Sequence, residues 1–151
     1  MNLDKILVAV DGSAQADSAT DAAASLAKRC GASLVILHVV ETVPSGRLRQ
    51  ELEDYLSQRR GILTRDQIFE TFGRDIVESA ERRARQMGVE QLETVVAVGG
   101  AAEQIVHAAH VHGVDLIVLG RRGHGTMTEL LSGSVSLKVI HISKTPVLTV
   151  P

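Results

Sequence analysis

Aromatic side chains are scarce in this sequence: Tyr55, Phe69 and Phe72 make up 2% of its 151 residues. A core must therefore come from Val, Leu, Ile and Ala, within a hydrophobic share of 44%. Aliphatic cores of that kind suit parallel sheets covered by helices. The same scarcity leaves little platform for stacking single-stranded bases. Excess positive charge is also missing: the formal net charge is −2, so there is no basic footprint for nucleic acid. Cys30 stands alone, which excludes a disulfide framework and a cysteine-based zinc site. Close to a helix end, it is expected to be a small buried hydrophobe. No apolar stretch approaches bilayer-spanning length, so no membrane insertion is expected. The opening MNLDKILVAVDGS has no signal-peptide layout, since its apolar run breaks at Asp11, and a cytoplasmic protein is the expectation. The G-x-x-x-x-G-K-[ST] loop of P-loop NTPases is absent. The first strand-to-helix turn reads Asp11-Gly12-Ser13, not the G-x-G-x-x-G dinucleotide fingerprint.

What is present is a regular alternation. Four apolar runs, Ile6–Val10, Leu34–Val40, Val95–Val98 and Leu116–Leu119, are nearly unbroken, as strands buried on both faces are. A fifth, Val147–Val150, follows Pro146, which suits a strand start or a sheet edge. Between them lie helical spacings: Ala16, Ala19, Ala23, Leu26, Ala27 and Cys30; Phe69, Phe72, Ile76, Ala80, Ala84 and Met87; Ala102, Ile105, Val106 and Ala109; Leu131, Val135, Val139 and Ile142. Gly31, Gly88 and Gly113 close three of these segments, where a left-handed cap residue belongs. Ser13 suits the first N-cap, with Asp17 in the opening turn facing the helix dipole. The order β-α-β-α-β-α-β-α-β argues for one α/β domain with a parallel sheet and right-handed crossovers; the expectation is an open, Rossmann-like, five-stranded sheet with helices on both faces, the strand order taken as 3-2-1-4-5 rather than derived from the alternation.

One connection is long. Residues 41–66 are polar and rich in Arg and Glu, and Leu48, Leu52, Tyr55 and Leu56 share a helical face. An extra helix is expected there, either packed on its own domain by that stripe or acting as a lid or partner-docking surface.

Ligands of open α/β sheets bind beyond the carboxyl ends of the strands, where the strand order reverses. In the order 3-2-1-4-5 that place lies between strands one and four. Strand one ends in Asp11-Gly12-Ser13, and strand four in Gly120-Arg121-Arg122-Gly123-His124-Gly125. Glycines let the backbone approach a phosphate closely, and successive N–H groups can converge on it. Gly133-Ser134-Val135-Ser136 then opens a helix, whose N-terminus favours an anion. Arg121 and Arg122 either add charge there or point to solvent, and Ser134 and Ser136 add hydroxyl donors. His107 and His110 share a helical face with His112 close by, but nothing completes a zinc ligand set, and a surface helix with scattered histidines is expected.

These residues resemble the universal stress protein family over nearly the whole chain. Ile6-Leu7-Val8-Ala9-Val10-Asp11-Gly12-Ser13 is similar to its first strand and turn, Leu37-His38-Val39-Val40 to its second strand, and Thr145-Pro146-Val147-Leu148-Thr149-Val150 to its last. Gly120-x2-Gly123-x9-Gly133-Ser134 fits the family's G-x2-G-x9-G-[ST] nucleotide motif without a gap. The resemblance implies one universal stress protein domain over 1–151, with the adenine-nucleotide α-hydrolase-like fold and a variable insertion at about 41–66. It implies ATP as ligand, with Mg²⁺ carried by the phosphates and approached by Asp11. Asp11 would then sit on the ribose and adenine side with Ala9 and Val10 before it, and the Val39 backbone at the adenine edge. Gly120, Arg121, Arg122, Gly123, Gly133, Ser134, Val135 and Ser136 would surround the phosphates. It further implies a homodimer through the last strand. Ala9 departs from the family, many members having proline there.

No catalytic set is visible: Asp11 is the one carboxylate expected at the crevice, whereas hydrolysis needs a positioned water, a base and charge stabilisation. The expected function is a stress-response regulatory switch whose bound ATP changes a surface read by a protein partner or the dimer mate. The alternatives are a slow ATPase or autokinase, with Thr126 or Thr128 as acceptor, and a scaffold or chaperone-like dimer that ignores nucleotide.

Overall fold

A computed structural model of the chain describes residues 1–41, 65–121 and 134–151, together with Gln50, Asp54 and Gln58. Among the described residues the elements with defined bounds alternate as β1 Lys5–Ala9, α1 Ala14–Cys30, β2 Ser33–Val40, α2 Arg65–Gln86, β3 Leu92–Val98, α3 Ala101–Val111, β4 Leu116–Gly120, α4 Ser134–Ile142 and β5 Val147–Val150. All strand pairs are parallel and the spatial order is β3-β2-β1-β4-β5. This is the order expected from the sequence. Gln50, Asp54 and Gln58 are helical and exposed; Leu48, Leu52, Tyr55 and Leu56, the stripe expected to pack that helix, lie outside the described residues.

The central strands send alternate side chains to two separate cores, as a period of two demands. Ile6, Val8, Leu34, Ile36, Leu116 and Val118 pack under α1 and α2. Leu7, Val35, Leu37, Ile117 and Leu119 pack under α3 and α4, where Val139 is fully buried. The face that α1 turns to the sheet consists largely of methyl groups: Ala16, Ala19, Ala23, Ala24 and Ala27 are all buried. Asp115 Oδ2 accepts hydrogen bonds from the amides of Asp4 and Lys5, each at 2.9 Å. That contact fixes the register of β1 against β4 at the opposite end of the sheet from the expected crevice.

The helix ends follow the sequence. Ser13 caps α1 through Oγ, which accepts from the Ala16 amide at 3.2 Å, a contact worth about 1 kcal/mol. Gly31, Gly88 and Gly113 all have positive φ. Pro146, which has no N–H to give, still contributes its carbonyl to the Ile117 amide at 2.9 Å, so β5 begins where the sequence allows.

Three expectations need correction. Cys30 is exposed, as are Lys28 and Arg29 beside it; in the last turn of α1 it is Ala27 that faces the core, so the thiol is not a core residue. β3 is not buried on both faces: it starts at Leu92, exposes Glu93, Thr94 and Val98, and half-buries the rest, because it is a sheet edge. In α4, Val139 and Ser136 are buried, whereas Val135 and Ile142 are exposed along with Leu137 and Ile140. The apolar spacing there marks an outward face as well as a core one, and Leu131 lies outside the described residues.

Candidate functional site

The carboxyl ends of β1 and β4 are neighbours. The β1–β4 ladder runs to the Ala9–Leu119 pair; β1 ends there, whereas β4 runs one residue further, with Gly120 paired to Val150 of β5. After β1, Val10 is buried, Gly12 takes a φ of 82°, and Asp11 Oδ1 accepts from the Ser13 amide at 2.9 Å. The turn is thus closed by its own carboxylate before Ser13 begins α1. At the last residue of β4, Gly120 is pressed against the start of α1. A Cβ placed there would lie 3.0 Å from Gln15 Cβ, 3.0 Å from its carbonyl oxygen and 3.1 Å from its carbonyl carbon. Glycine at 120 therefore lets β4 and α1 approach. The Arg121 amide donates to the Val150 carbonyl at 2.6 Å, holding the β4 exit to the end of β5.

The first turn of α4 returns to the same place. Ser136 is buried, and its Oγ donates to the Arg121 carbonyl at 3.2 Å. Of the residues expected at the site, the structure thus brings Gly120, Arg121 and Ser136 together beside the β1 exit of Ala9, Val10 and Asp11. Ser134 begins α4, and Val135 is exposed on its first turn. Val39 lies near the end of β2, paired with Ala97, and its side chain faces the α3/α4 core. Arg122, Gly123, His124, Thr126, Thr128 and Gly133 lie outside the described residues, as does the Ser134 side chain.

On the other side of the β1 exit, between α1 and α2, is a cleft of about 300 Å³ lined by Val10, Gly12, Phe72, Asp75, Ile76 and Ser79, among others. Nothing in the sequence singled it out, because it arises from the docking of two helices far apart in the chain. Beside it, Arg83 grips α1. Its Nε lies 2.5 Å from Asp21 Oδ1 and its Nη2 2.8 Å from Oδ2, with Asp17 at 3.7 Å. That hydrogen bonding holds the Asp21 carboxyl below its ordinary range against the opposing effect of burial, and raises the Arg83 guanidinium. On the α3/α4 side, Lys138 pairs with Glu103 and lowers its carboxyl chiefly by hydrogen bonding. The histidines follow their expected surface placement: His107 and His110 are exposed, and His112 Nδ1 meets Glu93 at 3.0 Å. No group of three potential metal-ligating side chains forms among the described residues. Among them, too, no helix is long and apolar enough to cross a membrane.

Sequence reasoning gave no role to His38, which is buried in β2 with Nδ1 2.7 Å from the Val10 carbonyl. The one available signal was a polar ring inside the aliphatic run Leu34–Val40.

Comparison with known proteins agrees with this architecture. The chain is 39% identical over 151 residues to a universal stress protein of Bacillus subtilis, YxiE, covering 97% of each chain. It is 36% identical over 149 residues to one from Thermus aquaticus, covering 96% of each. Among solved structures, a universal stress protein in complex with cAMP superposes with a TM-score of 0.73 at 25% identity, over 100% of this chain and 99% of the other. The model of the Universal stress protein family matches residues 2–151, and the chain belongs to that family.

Proposed function

We propose that the chain is an adenine-nucleotide-binding regulatory protein whose ligand lies beyond the carboxyl ends of β1 and β4. The observation that carries this reading is the meeting of the β4 exit with the first turn of α4, through Ser136 Oγ and the Arg121 carbonyl. The intervening sequence holds Gly123 and Gly133 at the spacing of the glycine motif, and the N-terminus of α4 favours phosphate. The related structure with cAMP supports an adenine nucleotide over a simple anion.

In this reading Gly120, Arg121, Arg122, Gly123, Gly133, Ser134, Val135 and Ser136 surround the phosphates. Ala9, Val10 and Asp11 form the ribose side, and the Val39 backbone meets the adenine edge. ATP is the ligand proposed. Mg²⁺ keeps several waters and binds phosphates with one or two carboxylates, so it would enter with the phosphates, Asp11 being the carboxylate of the β1 exit. Binding that changes a surface, rather than turnover, is the function this residue set supports. Leu137, Ile140, Ile142 and Leu148 are exposed on α4 and β5, and β5 is the last strand of the sheet. They support a homodimer through Val147–Val150, with each copy reading the nucleotide state of the other. A cytoplasmic location belongs to the same reading.

Thermal unfolding with Mg²⁺-ATP, cAMP and GTP tests it. A ligand at 100 times its Kd stabilises by about 2.7 kcal/mol, a Tm rise of roughly 5–10 °C at this chain length. No shift at millimolar ATP or cAMP sinks the proposal. ATP recovered intact after long incubation supports the switch, whereas phosphate release abolished by Asp11→Ala with binding retained favours a slow ATPase.

A further inference from the structure

The β1–β2 ladder ends at the Ala9–Leu37 pair, one residue before the turn that carries Asp11. The next amide, that of Val10, still finds the Leu37 carbonyl at 2.8 Å. The Val10 carbonyl is met by a side chain: His38 Nδ1, at 2.7 Å. A carbonyl oxygen only accepts, so Nδ1 carries a hydrogen in this arrangement. Both ends of Val10 are thereby held by consecutive residues of β2.

Holding that carbonyl orients more than one atom. The peptide between Val10 and Asp11 is planar and trans, so its N–H points opposite to its C=O. The Asp11 amide is therefore directed away from the imidazole. The Asp11 carboxylate, carried by the residue that this amide begins, closes the turn on Ser13 at 2.9 Å. The orientation of the β1 exit thus depends on where the His38 ring sits.

Helix α2 sets that position. The Phe72 ring lies edge-on to His38, centroids 6.4 Å apart and planes at 74°. The next residue, Gly73, brings the α2 backbone so close that a Cβ would stand 2.9 Å from Val96 Cγ1, 3.2 Å from His38 Cδ2 and 3.3 Å from Val40 Cγ2. The imidazole, 3% exposed, is clamped between α2 and the sheet. The cleft of about 300 Å³ that shares Phe72 and Val10 opens beside this clamp.

We propose that His38 is a positioning residue for the nucleotide crevice: its Nδ1–H holds the Val10 carbonyl, and through Phe72 and Gly73 it makes the β1 exit answer to the position of α2. The nucleotide part rests on the reading given above. The hold on the turn stands without it.

The test compares His38→Asn with His38→Leu in the full chain. The two replacements have nearly the same shape, but only asparagine offers a donor close to the place of Nδ1. In the nucleotide-free protein, hydrogen exchange of the Ser13 amide reads the turn directly. It should speed up at least about tenfold in His38→Leu and stay within about threefold of the parent in His38→Asn. Calorimetric titration with cAMP and Mg²⁺-ATP should show the same split, a loss of at least about tenfold against less than about threefold. If the two variants behave alike in both measurements, the donor does not matter and the proposal is overturned. If the parent binds neither nucleotide while the exchange rates still split, the nucleotide reading fails and the hold on the turn survives. Should His38→Leu not fold, Phe72→Leu carries the test: at least about threefold faster Ser13 exchange supports the link to α2, and parental exchange overturns it.

Discussion

Replacing Gly120 by alanine perturbs the crevice at its tightest point. The added methyl would stand 3.0 Å from Gln15 Cβ, 3.0 Å from Gln15 O and 3.1 Å from Gln15 C. Ordinary carbon contacts lie at about 3.5–4.0 Å, so each falls short by several tenths of an ångström. All three atoms are fixed to the first turn of α1, and none can swing aside as the end of a long side chain would. Either α1 or β4 must move. Overpacking of this kind costs about 1–3 kcal/mol. Removing a glycine from a strand returns about 0.5–1 kcal/mol. The net expectation is a loss of up to about 2.5 kcal/mol, centred on about 1 kcal/mol, or a Tm lowered by roughly 2–4 °C at that centre. Urea unfolding monitored by circular dichroism measures it, with the midpoint falling at unchanged slope. A crystal structure of Gly120→Ala should show the start of α1 displaced from β4. A variant more stable than the parent, or one whose α1 keeps its place against β4, would refute the claim that glycine at 120 serves close approach.

Gly31 has the opposite character. Its φ is 69°, and an added Cβ meets nothing within 4 Å. Gly31→Ala should lose about 1 kcal/mol from left-handed strain alone, and Gly31→Asn should recover part of it. Ser13→Ala removes the acceptor of the Ala16 amide and should lower stability by about 1 kcal/mol in urea unfolding. The Asp21–Arg83 pair should stabilise by no more than about 1 kcal/mol, since both side chains are 42% exposed and solvent screens them. Because the folded Asp21 carboxyl titrates below its ordinary 3.8, that stabilisation is present above the ordinary value and lost as pH falls through the lowered one. Unfolding of Asp21→Asn and of the parent should therefore differ at pH 7 and converge in strong acid. A difference that persists there would show that the pair acts by packing.

The sheet was legible because its strands are nearly unbroken aliphatic runs, and the alternation with helices leaves few ways to connect them. Ser13, Gly31, Gly88 and Gly113 were legible because caps are local chemistry. The adjacency of the β1 and β4 exits followed from the strand order, and the start of α4 near Gly133-Ser134 from the glycine and serine there. Contacts between distant segments were not legible. The bond from His38 to Val10 joins residues 28 apart, and the cleft between α1 and α2 depends on how two helices settle on one face of the sheet. The β3 edge was misjudged because its three valines resemble those of a central strand, whereas the Glu93-Thr94 step that precedes them belongs to the strand too. Exposure of Cys30 and of the outer face of α4 depends on what neighbours them in space, which residue spacing does not encode.

The alanine face of α1 makes this protein's sensitivity to mutation one-sided. A methyl group is already the smallest side chain that can fill space, so truncation at Ala19 or Ala23 removes little volume. Enlargement by even a few carbons has nowhere to go, because both residues are fully buried against the sheet. Added bulk on this helix face is therefore what the fold tolerates least, because the helix must stay close enough to the strands for Gln15 to approach Gly120. Any lineage that gained volume there would lift the helix and widen the gap at the strand ends.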